Sequence, residues 1–254
     1  MTEAPYDAFA GLYDFLQQDV SYPKWADYIE KLIDKHGSGG AEPLRFCDLG
    51  CGTGSLAVEL SLRGHAVVGV DNSPCMLNVA VEKASASEVS PVFLCRDIRG
   101  FCLPGKADVV LCLLDTVNHL TGTKDLLRLF QGVGKSLSTG GLFIFDVIST
   151  YYMEEVLGDK VFFTTDEDMS LFWNNSFDAK RKINRAELTI FQRDENSSLF
   201  HRDEVTVKEK AYSTEEINAA ANLCGFLCVG EYASLWMKKP GDKEERIFYV
   251  FQKQ

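Results

Sequence analysis

Short apolar runs alternate with amphipathic segments along the first 150 residues of the chain. The runs that predict β-strands lie at 44–49, 66–70, 92–95, 107–114 and 142–148. The segments whose apolar residues recur with helical spacing lie at 55–63, 73–83 and 123–137. Strands that alternate with helices predict βαβ crossovers and a parallel sheet covered by helices on both faces. The nearly all-apolar strands fit burial on both sides.

The pattern changes after Ser149. From about Val161 to Glu209, apolar and polar residues alternate in steps of two, with turn-like stretches between them, which predicts an antiparallel meander with one solvated face. A helix then begins at the capping box Ser213-Thr214-Glu215-Glu216, and two strands follow near 227–232 and 246–251. We therefore predict an α/β domain made of residues 1–150 and 211–254, in which 1–40 form a helical arm. Residues 151–210 are predicted to form an inserted antiparallel β cap.

Composition limits the class of protein and its partners. The chain has 254 residues, which suits one large domain or one domain with an inserted cap. It has no run near the roughly 20 apolar residues of a membrane helix and no signal-peptide pattern, so we expect a cytoplasmic protein with no membrane partner. The net charge of −11 and the pI of about 4.9 weigh against long nucleic acids as partners. The oligomeric state is not predicted.

The eight cysteines raise the question of disulfides or a metal site. No CxxC pair occurs, and Cys224 and Cys228 have no histidine cluster near them in the sequence. In a large chain with a full apolar core, free thiols are the expected state. The sequence therefore predicts reduced cysteines and no metal ion.

The segment from Asp48 to Gly54 joins the first predicted strand to the first predicted helix and is the main candidate site. Its glycines at alternate positions let the backbone turn tightly and approach a ligand closely. The following helix N-terminus offers unpaired N–H groups that suit a carboxylate. A tight turn without a ligand remains the alternative for a glycine loop taken alone.

Two acidic residues sharpen this interpretation. Asp48 lies at the carboxyl end of its strand, where ligands of open α/β sheets bind. Asp71 ends the second strand about 20 positions later, as acids that bind ribose hydroxyls do. Nicotinamide dinucleotides and S-adenosylmethionine (SAM) both contain that ribose. The loop has the spacing GxGxG, whereas dinucleotide sites use GxGxxG.

The run Asp48-Leu49-Gly50-Cys51-Gly52-Thr53-Gly54 resembles motif I of class I SAM-dependent methyltransferases. The resemblance implies a Rossmann-like, doubly wound, mostly parallel sheet with an antiparallel C-terminal strand, and SAM as the cofactor. It also implies that SAM contacts the loop itself. The loop residues concerned are Asp48, Gly50, Cys51, Gly52 and Gly54.

Three later segments extend the resemblance. The segment 69–77 is similar to the family's GxDxSxxML motif, 95–99 to its acidic motif, and 113–120 to a DSxNYL segment from which Thr116 and His119 depart. The resemblance implies that Asp71 binds the ribose, that Met76 packs near the adenine, and that Asp97 accepts from the adenine amino group. A plain surface turn is the alternative for Asp97. The remaining residues expected at the cofactor are Asn72, Ile98 and Leu113.

The N-terminal aromatics also fit this family. Tyr6 and Tyr13 lie in a pattern similar to Y-x-x-FA-x-x-YD. In similar enzymes this arm folds over the cofactor and its tyrosines line the site. An amphipathic helix that packs its aromatics on the core is the alternative.

The sequence thus predicts a SAM-dependent methyltransferase that moves a methyl group to a nitrogen or oxygen nucleophile of a small or medium-sized acceptor by in-line displacement. If a general base acts, Asp115 and His119 are the candidates, although His119 also fits a structural role. The cap is expected to cover the acceptor, with Phe172, Trp173 and Asn174 in reach. The alternatives are a non-catalytic SAM-binding regulatory module and an NAD(P)-dependent oxidoreductase.

Overall fold

The computed structural model describes residues 10–11, 13–37, 43–194 and 197–254. The helices are α1 (Tyr13–Leu16), α2 (Tyr22–His36), α3 (Ser55–Leu62), α4 (Pro74–Ala86), α5 (Asp125–Ser136) and α6 (Thr214–Asn222). The strands are β1 (Arg45–Leu49), β2 (Ala66–Asp71), β3 (Val92–Cys95), β4 (Ala107–Cys112), β5 (Leu137–Ile148), β6 (Val161–Thr165), β7 (Met169–Asp178), β8 (Ile183–Arg193), β9 (Phe200–Lys210), β10 (Phe226–Ala233) and β11 (Arg246–Lys253). A 3-10 helix spans Thr116–His119 and a π-helix spans Tyr152–Leu157.

Seven strands form the main sheet in the order β10-β11-β5-β4-β1-β2-β3. The neighbours among β1 to β5 pair in parallel. Strand β11 is antiparallel to both β5 and β10. The predicted α/β fold, with its mostly parallel sheet and antiparallel C-terminal strand, is confirmed.

Each face of this sheet has its own apolar core. On one face α5 and α6 pack against alternate strand residues such as Phe143 and Phe145. On the other face α2 and α3 pack against residues such as Leu142 and Ile144. Successive side chains of a strand point to opposite faces, so β5 contributes to both cores and reads as a continuous apolar run.

The second sheet is antiparallel and has the order β6-β7-β8-β9. Its inner face packs on Met76 of α4 and on Ala10 of the N-terminal segment. The inner residues are Met169, Leu171, Ala186, Ile190, Val205 and Val207. This sheet, which we call the cap, therefore covers α4 and the arm near the carboxyl ends of the parallel strands.

Two local features differ from the expectations. Strand β5 begins at Leu137 instead of Leu142, because Leu137 pairs with Ala107 across a register shift that takes up the Gly140-Gly141 pair. The π-helix at Tyr152–Leu157 was not predicted. The eight cysteines all lie in the described ranges, and none of them forms a disulfide bond. Within the described ranges, no helix is both long and apolar enough to cross a membrane.

Candidate active site

The glycine loop connects β1 to α3, and its three alternate glycines all adopt left-handed backbone angles, with φ of 71°, 52° and 73°. A Cβ on Gly50 would lie 2.4 Å from Thr116 Cγ2, and one on Gly54 would lie 2.8 Å from Ala80 Cβ. A Cβ on Gly52 would meet, among the described atoms, only a ring carbon of Tyr13 at 3.7 Å. The protein thus has room for a side chain at Gly52, and the space beside it is available to a ligand.

Asp71 holds the loop from the neighbouring strand. Its Oδ2 accepts from the Gly52 N–H at 2.9 Å, and its Oδ1 accepts from the Ser73 N–H at 2.9 Å. An ionised carboxylate has about four lone-pair sites, so one carboxylate can accept from backbone N–H groups and from hydroxyl groups together. The expected ribose-binding residue therefore also fixes the loop and the start of α4.

Asp48 lies beneath the same loop and is only 3% exposed. Burial, and secondly the neighbouring charge of Asp71, raise the pKa of Asp48 to about 7. A cation in the space above would favour the ionised form. Because SAM carries a sulfonium and an ammonium group, its binding should be coupled to the ionisation of Asp48.

The other predicted cofactor residues occupy different environments around the loop. Cys51 is half-buried, and burial raises the pKa of its thiol. Met76 is buried, and its N–H donates to Ser73 Oγ at the N-cap of α4. Asn72 is exposed, Ile98 is half-buried and Leu113 is buried.

Asp97 follows β3 and is engaged by Arg99. Its Oδ1 accepts from the Arg99 N–H at 2.8 Å, and the guanidinium forms an ion pair with Oδ2. The side-chain hydrogen bonds from Arg99 lower the pKa of Asp97. Asp97 is therefore a carboxylate acceptor at this edge, and its role towards the adenine stays a prediction.

The short helix α1 lies against the glycine loop. Asp14 Oδ1 accepts from Thr53 Oγ1 at 2.6 Å, and Asp14 Oδ2 forms an ion pair with Lys83 at 2.7 Å. Burial, followed by the charge of Asp115, raises the pKa of Tyr13. Tyr13 thus lies near both Gly52 and Asp115. Tyr6 lies outside the described residues, and the role of both tyrosines towards the cofactor stays a prediction.

Asp115 is presented by an unusual stretch of backbone after β4. Leu114 and Asp115 both have left-handed φ, of 55° and 56°. Their N–H groups donate to the two oxygens of the buried Asp146, at 2.7 Å and 3.1 Å. Successive N–H groups that surround one carboxylate offset the cost of this conformation. Arg246 completes the arrangement, since it donates to Asp115 Oδ1 at 2.8 Å and pairs with Asp146.

Asn118 ties this segment to both ends of the cap. Its Nδ2 donates to the carbonyls of Ile148 at 3.1 Å and Lys210 at 2.9 Å. The Ile148 N–H donates to its Oδ1 at 3.0 Å. Asn118 is fully buried, so each of these bonds is shielded from water.

His119 and the cap residue Glu209 face Asp115. A carboxylate oxygen of Asp115, an imidazole nitrogen of His119 and a carboxylate oxygen of Glu209 all lie within 4.8 Å of one another. Glu209 is 6% exposed, and its Oε2 accepts from Asn184 Nδ2 at 3.3 Å. Burial, followed by the charge of Asp115, raises the pKa of Glu209.

A cavity of about 570 Å³ lies between the core and the cap at these residues. Trp173 lines it, and the buried Nε1 of this indole has no hydrogen-bond partner in the part of the chain that the structure describes. Phe172 and Asn174 do not line it and are exposed on the opposite face of β7. The lining residues include Asp115, Tyr152, Trp173, Glu209 and Arg246, with Lys243, Glu244 and Glu245 beside them.

Sequence reasoning missed several residues of this region, among them Asp146, Arg246 and Glu209. Asp146 is a single acid within the apolar run of β5, and a lone charge at such a position signals a buried pair. Arg246 begins β11 in the same way. Glu209 gave no signal, because it follows the regular alternation of β9 and only the packing of the cap shows that it is buried.

The chain is similar to known methyltransferases. A family model described as a methyltransferase domain matches residues 46–141. The chain is 31% identical to a protein of Geobacillus sp. (strain WCH70), provisionally described as a methyltransferase, and the alignment covers 98% of this chain and 99% of that protein.

Solved structures extend the comparison. A SAM-dependent methyltransferase from Clostridium acetobutylicum superposes with a TM-score of 0.85 at 29% identity, over 98% of this chain and 99% of that one. SAM-bound CalS10, an amino pentose methyltransferase from Micromonospora echinaspora, superposes with a TM-score of 0.72 at 18% identity, over 100% of this chain and 98% of that one.

The chain belongs to the class I SAM-dependent methyltransferases. It is an enzyme of that class, and SAM is its cofactor. The predicted family, enzyme class and cofactor are confirmed. The roles of individual site residues stay predictions.

Proposed function

We propose that this enzyme transfers the methyl group of SAM to a nitrogen or oxygen nucleophile of a small or medium-sized acceptor that enters the cavity beneath the cap. One observation carries the proposal. Tyr13 lies near Gly52 of the glycine loop and also near Asp115, which lines the cavity. A cofactor at the loop and an acceptor in the cavity would therefore meet beside the Tyr13 ring.

The bound cofactor supplies a methyl group on a positively charged sulfur, which is displaced in line by the acceptor. The residues of the chain then have three tasks: to hold the cofactor, to align the acceptor and to exclude water. Gly52 and Asp71 serve the first task in this proposal. The cap and the Asp115 segment serve the other two, because together they enclose the cavity.

The cavity volume of about 570 Å³ supports a small acceptor, since drug-sized ligands occupy pockets of about 300–1,000 Å³. CalS10, which shares the fold, is described as an amino pentose methyltransferase, and an amino pentose is a small molecule. The acidic pI of about 4.9 supports a small molecule over a nucleic acid or an anionic membrane.

A SAM-binding regulatory module is the second function that the sequence left open. Such a module would bind SAM without releasing S-adenosylhomocysteine with any acceptor. The cavity lined by Asp115 favours the enzyme, because a module that only senses SAM needs no second pocket.

The test is a screen for S-adenosylhomocysteine release from SAM in the presence of amino sugars, amino alcohols, phenols and simple alcohols. Release with at least one acceptor is expected. Trp173→Phe, which removes the indole N–H, should raise the KM of that acceptor about 3–10-fold, because a buried hydrogen bond contributes about 1 kcal/mol. The affinity for SAM should not change.

Trp236→Phe is the matched control, since Trp236 is 66% exposed and does not line the cavity. It should leave both the acceptor KM and the SAM affinity unchanged. Tight SAM binding without turnover on any compound would favour the regulatory module and contradict the proposal.

A further inference from the structure

Glu209 is the cap residue that faces the core across the cavity. It lies near the end of β9, where it pairs across the strands with Asn184 of β8. Asp115 and His119, which follow β4, approach it from the core. One oxygen or nitrogen atom of each of the three side chains lies within 4.8 Å of the other two. The cap thus brings a buried carboxylate to the place where the Asp115 segment meets the cavity.

We infer that the reacting group of the acceptor is a protonated primary amine, and that Glu209 is the catalytic residue that removes its proton. This inference rests on the proposed function, since it names the acceptor class and the base of that same cavity. It differs from the expectation that Asp115 or His119 would be the base.

The charges around the cavity support a cationic acceptor. Asp115 and Glu209 line it, and Glu244 and Glu245 lie beside them. Arg246 also faces the cavity, but its guanidinium is paired with Asp115 and Asp146. Among the lining residues, Lys243 is then the cation that is left to balance the carboxylates. An ammonium group would lower this excess of negative charge.

Asp115 is already engaged by a guanidinium. Its carboxylate accepts from Arg246 at 2.8 Å, and such charge-assisted bonds stabilise the ionised form. Glu209 Oε2 instead accepts a longer bond from the neutral Asn184 amide, at 3.3 Å. A carboxylate held by a neutral donor has more to gain from a proton than one held by a guanidinium.

The groups that face Glu209 agree with this assignment. They come from four elements besides its own: Asp115 and His119 after β4, Asn184 on β8, Arg246 on β11 and Tyr152 in the π-helix. Burial and Asp115 raise the pKa of Glu209, and His119, Asn184 and Arg246 oppose that rise. The net effect brings the pKa closer to the neutral range in which a general base works best.

In the proposed step, the Glu209 carboxylate takes one proton from the R–NH3+ group, and the N–H bonding pair becomes the lone pair of the neutral amine. This lone pair forms the N–CH3 bond while the S–CH3 bond breaks and its pair returns to sulfur. The products are R–NH2+–CH3, the neutral thioether and a protonated Glu209, and the total charge of +1 is conserved. The acid then returns its proton to water after the product leaves.

Trp173 narrows the acceptor further. Its buried Nε1–H lines the same cavity and has no partner among the described residues. A buried donor without a partner costs free energy, so an acceptor oxygen would satisfy it. An amine that also carries a hydroxyl group, as in an amino alcohol or amino sugar, provides both functions.

The experiment compares Glu209→Gln with the wild type on the amines of the panel, by release of S-adenosylhomocysteine between pH 6 and 10. At neutral pH, kcat should fall about 100–10,000-fold, as expected for loss of a general base. The KM of the amine should change by a smaller factor than kcat does. The wild-type rate should rise with pH as Glu209 ionises. The variant should lose that rise in rate. It should recover activity only at alkaline pH, where the ammonium group of the acceptor loses its proton in solution.

Glu204→Gln is the matched control, because Glu204 lies on the same strand but is exposed on its outer face. It should keep the wild-type rate and pH profile. Glu209→Asp, which keeps a carboxylate, should retain more activity than Glu209→Gln and still show the acid step. If thermal melting shows that Glu209→Gln does not fold, Glu209→Asp is the deciding variant. A folded Glu209→Asp whose rate no longer rises with pH as the carboxylate ionises would overturn the inference.

Three further results would overturn it. The first is a folded Glu209→Gln variant with wild-type kcat and pH profile. The second is turnover of hydroxyl compounds but of no amine, which leaves the proposed function intact and removes only the inference. The third is loss of activity in EDTA with recovery in Mn²⁺ or Zn²⁺, because the three side chains would then be metal ligands.

Discussion

The glycine loop and the cavity are built in opposite ways. The loop residues come from one strand-turn-helix unit, and Asp71 reaches them from the adjacent strand β2. The cavity draws Asp115, Tyr152, Trp173, Glu209 and Arg246 from five separate segments. A site made within one local unit leaves a motif in the sequence. A site assembled by tertiary packing leaves only scattered residues, so its chemistry has to be found in the structure.

Gly52→Val is the strongest way to break this comparison, because it should remove the cofactor side alone. A Cβ there makes only an ordinary contact with Tyr13 among the described atoms, so the variant should fold despite the strain of a left-handed valine. Bound SAM, however, would occupy the space that the valine side chain enters. We expect SAM affinity to fall more than about 1,000-fold, or roughly 4 kcal/mol, by calorimetry.

Gly225→Val separates the backbone effect from the ligand effect. Gly225 also has a left-handed φ, of 75°, and no atom within 4 Å of its Cβ position. It should show a comparable loss in Tm with unchanged SAM affinity. Normal SAM binding by Gly52→Val would show that the loop is not the cofactor loop.

Asp71→Ala should have the next largest effect on the loop side. It removes the acceptor for the ribose and also the two bonds to the Gly52 and Ser73 N–H groups. We expect a loss of about 2–4 kcal/mol in SAM affinity, since each hydrogen bond to a charged group contributes about 1.5–3 kcal/mol. Asp71→Asn, which keeps one acceptor oxygen, should lose less. Equal affinity of Asp71→Ala and the wild type would contradict the ribose assignment.

The pH dependence of SAM affinity tests the role of Asp48 on the loop side. Its pKa of about 7 means that SAM, a cation, should bind more tightly as the pH rises from 6 to 8, by up to about tenfold, with release of a proton. The Asp48→Asn variant should lose this dependence in calorimetry with buffers of different ionisation enthalpy. Because the folded-state pKa is raised, Asp48 should also make the free protein less stable as the pH rises from about 4 to 7. A pH-independent affinity in the wild type would refute the coupling.

Asp14→Ala should have the smallest effect. Asp14 joins the arm to the loop through Thr53 and Lys83, but its side chain is 44% exposed, so the ion pair is screened by water. We expect SAM affinity to fall by less than about 1 kcal/mol. A loss as large as that of Asp71→Ala would mean that the arm, and not the loop, holds most of the cofactor.

The parallel sheet, its strand-helix order and the glycine loop were predictable because each depends on local periodicity or on a short motif. The capping box at Ser213 was predictable for the same reason, and the structure contains both of its hydrogen bonds. The position of Phe172 on the outer face was not predictable, because a one-residue change of register exchanges the two faces of a strand. Glu209 was missed because its burial depends on how the cap packs on the core, which no local pattern encodes.

Asn118 also has a consequence for how such enzymes can be altered. It binds the last residue of β5 and the last residue of β9, so the polypeptide leaves the core and returns to it at one point. A segment whose two ends meet can be lengthened, shortened or exchanged at little cost in chain entropy. The cap is thus a natural cassette. Grafting the corresponding segment of another methyltransferase between Ile148 and Lys210 would be a direct route to a new acceptor preference with the cofactor edge left as it is.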